Sequence, residues 1–530
     1  MVATGHPEAS KVGLRVLRQG GNAVDAAVAI GFALAVVLPD AGNLGGGGFL
    51  VLREADGTAS TWDFRERAPL AAWREMYADG SRSSTRGHLA VGVPGTVAGL
   101  LAAHEAEGRL PLADLIEPAI RLAEGQWLTG RNALLFNRYR DDFARFPSTA
   151  CVFVKPGGER FMPGERFRQP DLAATLRRIR DRGAEGFYQG ETADLIVAEM
   201  ERGGGLITHA DLAGYRAVQR PALESLYRGH RLFTMGPPSA GGVALVQVLR
   251  SVEPYPLAAY GLHSPEAVHL GGEALRRAFA DRARWLGDPD AVDVPVGGLI
   301  DPTYVSRRMA SFDPEAASVS LDVQPGVPPR GESTETTHFS VVDAEGNAVA
   351  VTTTLNDYFG SKVVVDGAGF FLNDEMDDFT SAPGRPNLWG LTQGEVNAVA
   401  PGKRMASSMT PVIVEDPGGR LLLVAGSPGG ARIVSTVFEV VTNVIDFGLD
   451  AQKAVSLPRY HHQWLPDEME YEDGLPEAAL SGLRRRGWTL DRLTQFGAAN
   501  IVVVRYDADG VPTLEGGADP RRDDDDARGY

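Results

Sequence analysis

The sequence predicts an α+β fold in which β-sheets are sandwiched between helical layers. Three observations lead there: a wholly apolar segment near the N-terminus, a long stretch of helical patterns from about 95 to 310, and a run of strand patterns beyond 335 followed by a further helix. A chain of 530 residues with 43% hydrophobic and 23% charged residues can bury a large core without metals or disulfides.

Taken in order, GGNAVDAAVAIGFALAVVLPDAGNLGGGGFLVLRE reads as turn, buried helix, glycine-rich loop and strand. The apolar run Ala26 to Leu38 ends at Pro39 and is too short to span a bilayer. FLVLRE and STWDFRE form a hairpin pattern across EADGTA. Helical patterns follow in TVAGLLAAHEAEG, LADLIEPAIRLAEG, DLAATLRRIRDRG, TADLIVAEMERGG and AVHLGGEALRRAFADRARWLG, several closed by glycine. MGPPSAGGVALVQVLRSV reads as strand, loop and helix. SFDPEAASVSLDVQPGVPPRGESTE, rich in Pro and Gly with few apolar anchors, reads as an exposed, mobile connector. Strands THFSVVD, NAVAVTTTL, MTPVIVED and RLLLVAG come next, then the helix ARIVSTVFEVVTNVIDFG and a final hairpin in IVVVRYDADGVPTLEGGAD. The acidic tip RRDDDDARGY reads as a solvated tail.

The net charge of −17 excludes nucleic acid as the main partner, because neutralising phosphates needs a basic surface. The single cysteine, Cys151, reads as a small hydrophobe on a strand and rules out an intrachain disulfide. GNLGGGGF lacks the spacing of a dinucleotide fingerprint, there is no P-loop, and the adjacent His461 and His462 do not have the spacing of a metal site. Met1 leads into VATGHPEAS with no basic and apolar leader pattern.

The stretch that carries chemistry is ESTETTHFSVVDAEGNAVAVTTTLN. The turn DAEGN pairs Asp343 with Asn347, so opposite residues sum to 690 and Thr354 falls across from Thr336 on one face. A threonine hydroxyl needs a base to act as a nucleophile. Cleavage of the Glu335–Thr336 bond would give Thr336 a free α-amine, with an unperturbed pKa of about 7.7–8.0, beside its own Oγ. His338 shares that face but is not needed as a base once the amine is present.

These residues, with LNDEMDDF, ASSMTPVIV, VAGSPGGARI, DFRERAP, GNLGGGGF and RYHHQWLPDE, occur in an order that resembles the γ-glutamyltranspeptidases, from about residue 2 to 530. The resemblance implies a four-layer αββα sandwich of the N-terminal-nucleophile hydrolase type. It also implies a precursor that cuts itself into a large subunit, 1–335, and a small subunit, 336–530, which stay intertwined as one globular unit and heterodimer. Thr336 stands where the family has its nucleophile, and Thr354 where a second threonine bonds to it. Asn356, Glu375 and Asp378 occupy positions that hold the substrate α-ammonium. Arg65, Ser407 and Ser408 occupy positions that clamp its α-carboxylate, and Gly429 and Gly430 match the oxyanion hole. Glu375 and Asp378, three apart, share a face if the stretch is helical. SAPGRPNLWGLTQGE resembles the lid, with Trp389 in place of the tyrosine usual in bacterial members; the lost phenol hydroxyl puts a gate bond to Asn356 in question.

The implied activity is cleavage of the γ-glutamyl amide of glutathione and related compounds, and transfer to water or to amino acid and peptide amines, with no cofactor, metal or membrane partner. Two other readings stay open at this point: a cephalosporin (glutaryl) acylase of the same superfamily, and an uncleaved, inactive binding scaffold. As written, the chain is expected in the cytoplasm; with an upstream signal peptide it would be periplasmic or secreted.

Overall fold

The computed structural model describes residues 1–328, 338–382 and 384–530. At its centre lie two antiparallel sheets. The seven-stranded sheet runs Asp526–Arg528, Val2–Thr4, Phe339–Val342, Ala348–Thr354, Gly47–Arg53, Ala59–Phe64, Val218–Pro221. The six-stranded sheet runs Pro512–Gly517, Ile501–Tyr506, Leu421–Ala425, Val412–Glu415, His230–Thr234, Leu223–Tyr227.

Alternation along the central strands explains the layers, since successive side chains of a strand point to opposite faces. Leu50, Leu52, Val349 and Val351 face an outer helical layer that includes Pro7–Arg18 and Ala23–Val37. Phe49, Val51, Ala348 and Ala350 face the second sheet, joining Ile413, Val424 and Val502 in the inner core. Beyond the second sheet lie Ala240–Val252, Pro265–Trp285 and Ile433–Ile445. The fold is therefore an α+β sandwich ordered helices, sheet, sheet, helices. The apolar helix Ala23–Val37 is buried along its whole length, and its Asn22–Asp25 capping box fixes its start.

The hairpin register follows the turn. Ala348 pairs with Val342, Val349 with Val341, Ala350 with Ser340 and Val351 with Phe339, each summing to 690. Asp343 sets it: its Oδ1 accepts from the amides of Glu345 and Asn347 at 2.9 and 3.0 Å. Both central sheets draw strands from before and after residue 336, so neither segment contains either of them whole.

Three local expectations are corrected. Cys151 is exposed and lies on a helix, Pro147–Phe153, not on a strand; Pro at the first helical position starts that helix. The connector is exposed over most of its described part, as expected, but it is pinned in the middle: Ser320 is fully buried, its amide donates to Asp467 Oδ2 at 2.7 Å, and its carbonyl accepts from the Trp464 indole at 2.8 Å. The acidic tip is no solvated tail. Asp526–Arg528 pairs with Val2–Thr4, and Asp524 accepts from Thr129 Oγ1 at 2.7 Å. Burial pushes the Asp525 carboxyl up to about 8. No helix among the described residues is long and apolar enough to cross a membrane.

Candidate active site

Thr336 lies outside the described residues. The other ten candidate residues, Arg65, Thr354, Asn356, Glu375, Asp378, Trp389, Ser407, Ser408, Gly429 and Gly430, line one cavity of about 960 Å³ at the end of the central sheet.

Each is delivered by a nearby element. The strand Ala59–Phe64 ends at Arg65, whose amide is held by Asp63 Oδ1 at 3.0 Å and whose carbonyl accepts from Tyr215 at 2.7 Å. Ala348–Thr354 ends at Thr354, whose Oγ1 accepts from the Asn356 amide at 2.7 Å. Asn356 itself takes φ of 78°, a left-handed conformation that asparagine tolerates better than most residues. Glu375–Asp378 is one turn of 3₁₀ helix, in which residues three apart eclipse, so both carboxylates reach the same guanidinium. Arg65 Nη1 lies 2.6 Å from Glu375 Oε2, and Nη2 lies 2.6 Å from Asp378 Oδ2.

The positions expected to bind opposite ends of an amino-acid head group are thus in contact with one another. Arg65 and Glu375 are fully buried, and a charge buried this deeply persists only if paired. Burial pushes the Glu375 carboxyl up to about 7 against the pull of Arg65, with Asp378 adding to the rise. Burial raises Asp378 as well, opposed by Arg65. Glu66, beside them, is pushed well above the usual carboxylate range by burial and then by Glu375.

The lid is built on the same acidic turn. Asn387 Nδ2 donates to Asp378 Oδ1 at 3.0 Å, and the Leu388 amide donates to Asp377 Oδ2 at 2.8 Å. Asn387 Oδ1 in turn accepts from the Trp389 and Leu391 amides, both at 3.0 Å. Trp389 Nε1 donates to Asn356 Oδ1 at 2.6 Å. The indole N–H therefore supplies a gate bond that the loss of a phenol hydroxyl had put in question. Opposite stands Gly430, with φ of 58°; a Cβ there would come within 2.4 Å of the Trp389 ring. Gly429 and Gly430 precede the helix Ile433–Ile445, the usual setting for amides that face an anion.

Residues missed by sequence reasoning sit behind this wall. Arg282, buried in the last turn of the helix Pro265–Trp285, donates from Nη2 to Ser408 Oγ at 3.0 Å and from Nη1 to Gln393 Oε1 at 3.2 Å. Burial pulls its guanidinium down to about 10, opposed by Asp378. Gln393 and Asn397 both donate to the Asp378 carbonyl, at 2.9 and 2.7 Å. The signal available was the helix Pro265–Trp285, which carries Glu273, Arg276, Arg277, Asp281 and Arg282 and is buried from Ala267 to Ala283. Such a helix has to satisfy its charges internally. Lys362, fully buried, was missed too. Its Nζ ties Asp357 Oδ2 at 2.9 Å and the carbonyls of Tyr358 and Gly360 at 2.6 and 2.7 Å, bracing the loop after Asn356. His338 bonds to Ser340, and burial pushes its imidazole down to about 3, so it is neutral.

A sandwich of two antiparallel sheets between helical layers, with this cavity at the strand ends, defines an enzyme of the N-terminal-nucleophile hydrolase class. The gamma-glutamyltranspeptidase family model matches residues 9–529, and the chain belongs to that family. It is 47% identical to a glutathione hydrolase proenzyme of a Pseudomonas species over 89% of this chain and 83% of that protein. It is 42% identical to the glutathione hydrolase proenzyme of Escherichia coli over 100% of this chain and 92% of that one. Among solved structures, a cephalosporin acylase from Bacillus halodurans superposes with a TM-score of 0.88 at 27% identity, covering 100% of this chain and 96% of the other.

Proposed function

We propose that the protein is an autoprocessing γ-glutamyltransferase and glutathione hydrolase. The Glu335–Thr336 bond is cut, leaving segments 1–335 and 336–530 held together as a heterodimer by the strands they share in both sheets. The freed α-amine of Thr336 takes the Oγ proton as Oγ attacks the γ-amide carbonyl. The amides of Gly429 and Gly430 receive the charge that develops on the carbonyl oxygen, and Thr354 bonds to the nucleophile. The amine then passes its proton to the departing nitrogen, and the C–N bond breaks. The γ-glutamyl ester on Thr336 is released by water or by an amino acid or peptide amine.

The observation that carries this reading is the buried cluster of Arg65 with Glu375 and Asp378. It offers a carboxylate clamp, completed by Ser407 and Ser408, directly beside two carboxylates and Asn356 for an ammonium. An amino-acid head group needs one of each. Trp389 closes over this end of the cavity through its bond to Asn356.

The full-length likeness to an acylase favours a second reading, glutaryl transfer. A glutaryl group lacks the ammonium and would bring no cation of its own to Glu375 and Asp378. Rates on γ-glutamyl and glutaryl anilides separate the two, and the γ-glutamyl anilide is expected to be the better substrate. Thr336→Ala is expected to abolish both self-cleavage and turnover, and an active Thr336→Ala enzyme would overturn the proposal.

A further inference from the structure

Five arginines line the cavity away from the Arg65 cluster, and three of them are neutralised. Arg131 makes two bonds to Asp40, at 2.8 and 2.6 Å. Arg432 makes two to Glu470, at 2.5 and 2.6 Å. Arg521 is paired with Glu472 and with Asp519. Arg138 and Arg522 also line the cavity, and neither has a carboxylate in ion-pair contact among the described residues. Arg138 is exposed at the end of the helix Gly130–Arg138 and lies over the Tyr139 ring. Arg522 is half-buried in the turn after Asp519, and Asp40 and Asp525 feel its charge without pairing with it. The wall also carries one exposed carboxylate, Asp523.

In a chain with a net charge of −17 there is no shortage of carboxylates to neutralise an arginine. Two without an ion-pair partner among the described residues, on the wall of one cavity, offer a site for an anion from outside, and a guanidinium binds a carboxylate through paired N–H groups. If the head group of the substrate occupies the Arg65 cluster, the part beyond the scissile amide extends toward this wall. We propose that Arg138 and Arg522 recognise the terminal carboxylate of that part. The favoured leaving groups and acceptors are then amino acids or peptides with a free C-terminal carboxylate. This rests on the γ-glutamyl reading of the cavity.

The test compares kcat/KM for glutathione with that for its C-terminal amide, in the wild-type protein and in Arg138→Ala, Arg522→Ala and the charge-retaining Arg138→Lys. Wild type is expected to favour the acid by about tenfold, as for a charge-assisted contact near solvent. Each alanine variant is expected to lose most of that preference, and Arg138→Lys to keep part of it. Because both substrates are measured on one preparation, the ratio does not depend on how much of a variant folds. An equal rate for acid and amide in wild type, or a ratio unchanged in both alanine variants, overturns the proposal. Failure of the wild-type protein to turn over a γ-glutamyl anilide removes the γ-glutamyl reading itself, and this site with it.

Discussion

Glu375 gives a prediction whose size follows from the site. Its carboxyl is buried and pushed up to about 7, burial first, with Arg65 pulling down and Asp378 pushing up. The ammonium of a γ-glutamyl substrate favours the ionised form. Above about pH 7 Glu375 is already charged and binding carries no protonation cost. Below it, each substrate that binds has to displace a proton, so KM rises toward about tenfold per pH unit, roughly 50-fold between pH 7 and 5. A glutaryl substrate has no ammonium to favour the charged form, so its KM is expected to lack this acid-side rise. Glu375→Gln keeps the shape and removes the titration: KM for the γ-glutamyl anilide is expected to start high and to stay nearly level across that window. The assay is initial-rate kinetics on both anilides from pH 5 to 8, with KM read separately from kcat because the proposed Thr336 amine titrates in kcat. A Glu375→Gln protein that keeps the wild-type slope, or a glutaryl profile as steep as the γ-glutamyl one, would refute the reasoning.

Two further outcomes follow from named contacts. Trp389→Phe leaves a smaller aromatic ring and removes the 2.6 Å bond to Asn356; one hydrogen bond is worth about 1 kcal/mol net, so KM is expected to rise at least about fivefold in steady-state assays. Lys362→Met leaves the carbonyls of Tyr358 and Gly360 and the Asp357 carboxylate without their donor; it is expected to lower stability by about 2 kcal/mol, read from the denaturant midpoint.

Much of this was legible in the sequence because it is local. The DAEGN turn fixes the hairpin through one aspartate, so the register over Phe339–Val342 could be written down in advance. The three-residue spacing of Glu375 and Asp378 puts both on one face of a single helical turn. The apolar run after Asn22 has no polar face and has to be buried. What stayed hidden depends on partners far away in the chain. Asp526–Arg528 becomes a strand only because Val2–Thr4 presents an edge to it, more than five hundred residues earlier. Ser320 is fixed by Asp467 and Trp464, which nothing in a Pro- and Gly-rich segment announces. FPSTACVFV has the residues of a strand, but the proline at its start and packing of Phe153 among Phe136, Phe143 and Phe371 hold it as a helix. Arg282 reads as one more charge on a polar helix until the helix is seen to have no solvent face along most of its length. The exchange of tyrosine for tryptophan at 389 could be judged only once the indole N–H was seen to point at Asn356.

The central claim is that Thr336 becomes a chain terminus and acts from there. Intact mass combined with N-terminal sequencing of the purified, active protein tests it most directly. Two polypeptides are expected, one of them beginning Thr-Thr-His-Phe at residue 336. A single unbroken chain of 530 residues that still cleaves γ-glutamyl amides at the full rate would contradict it.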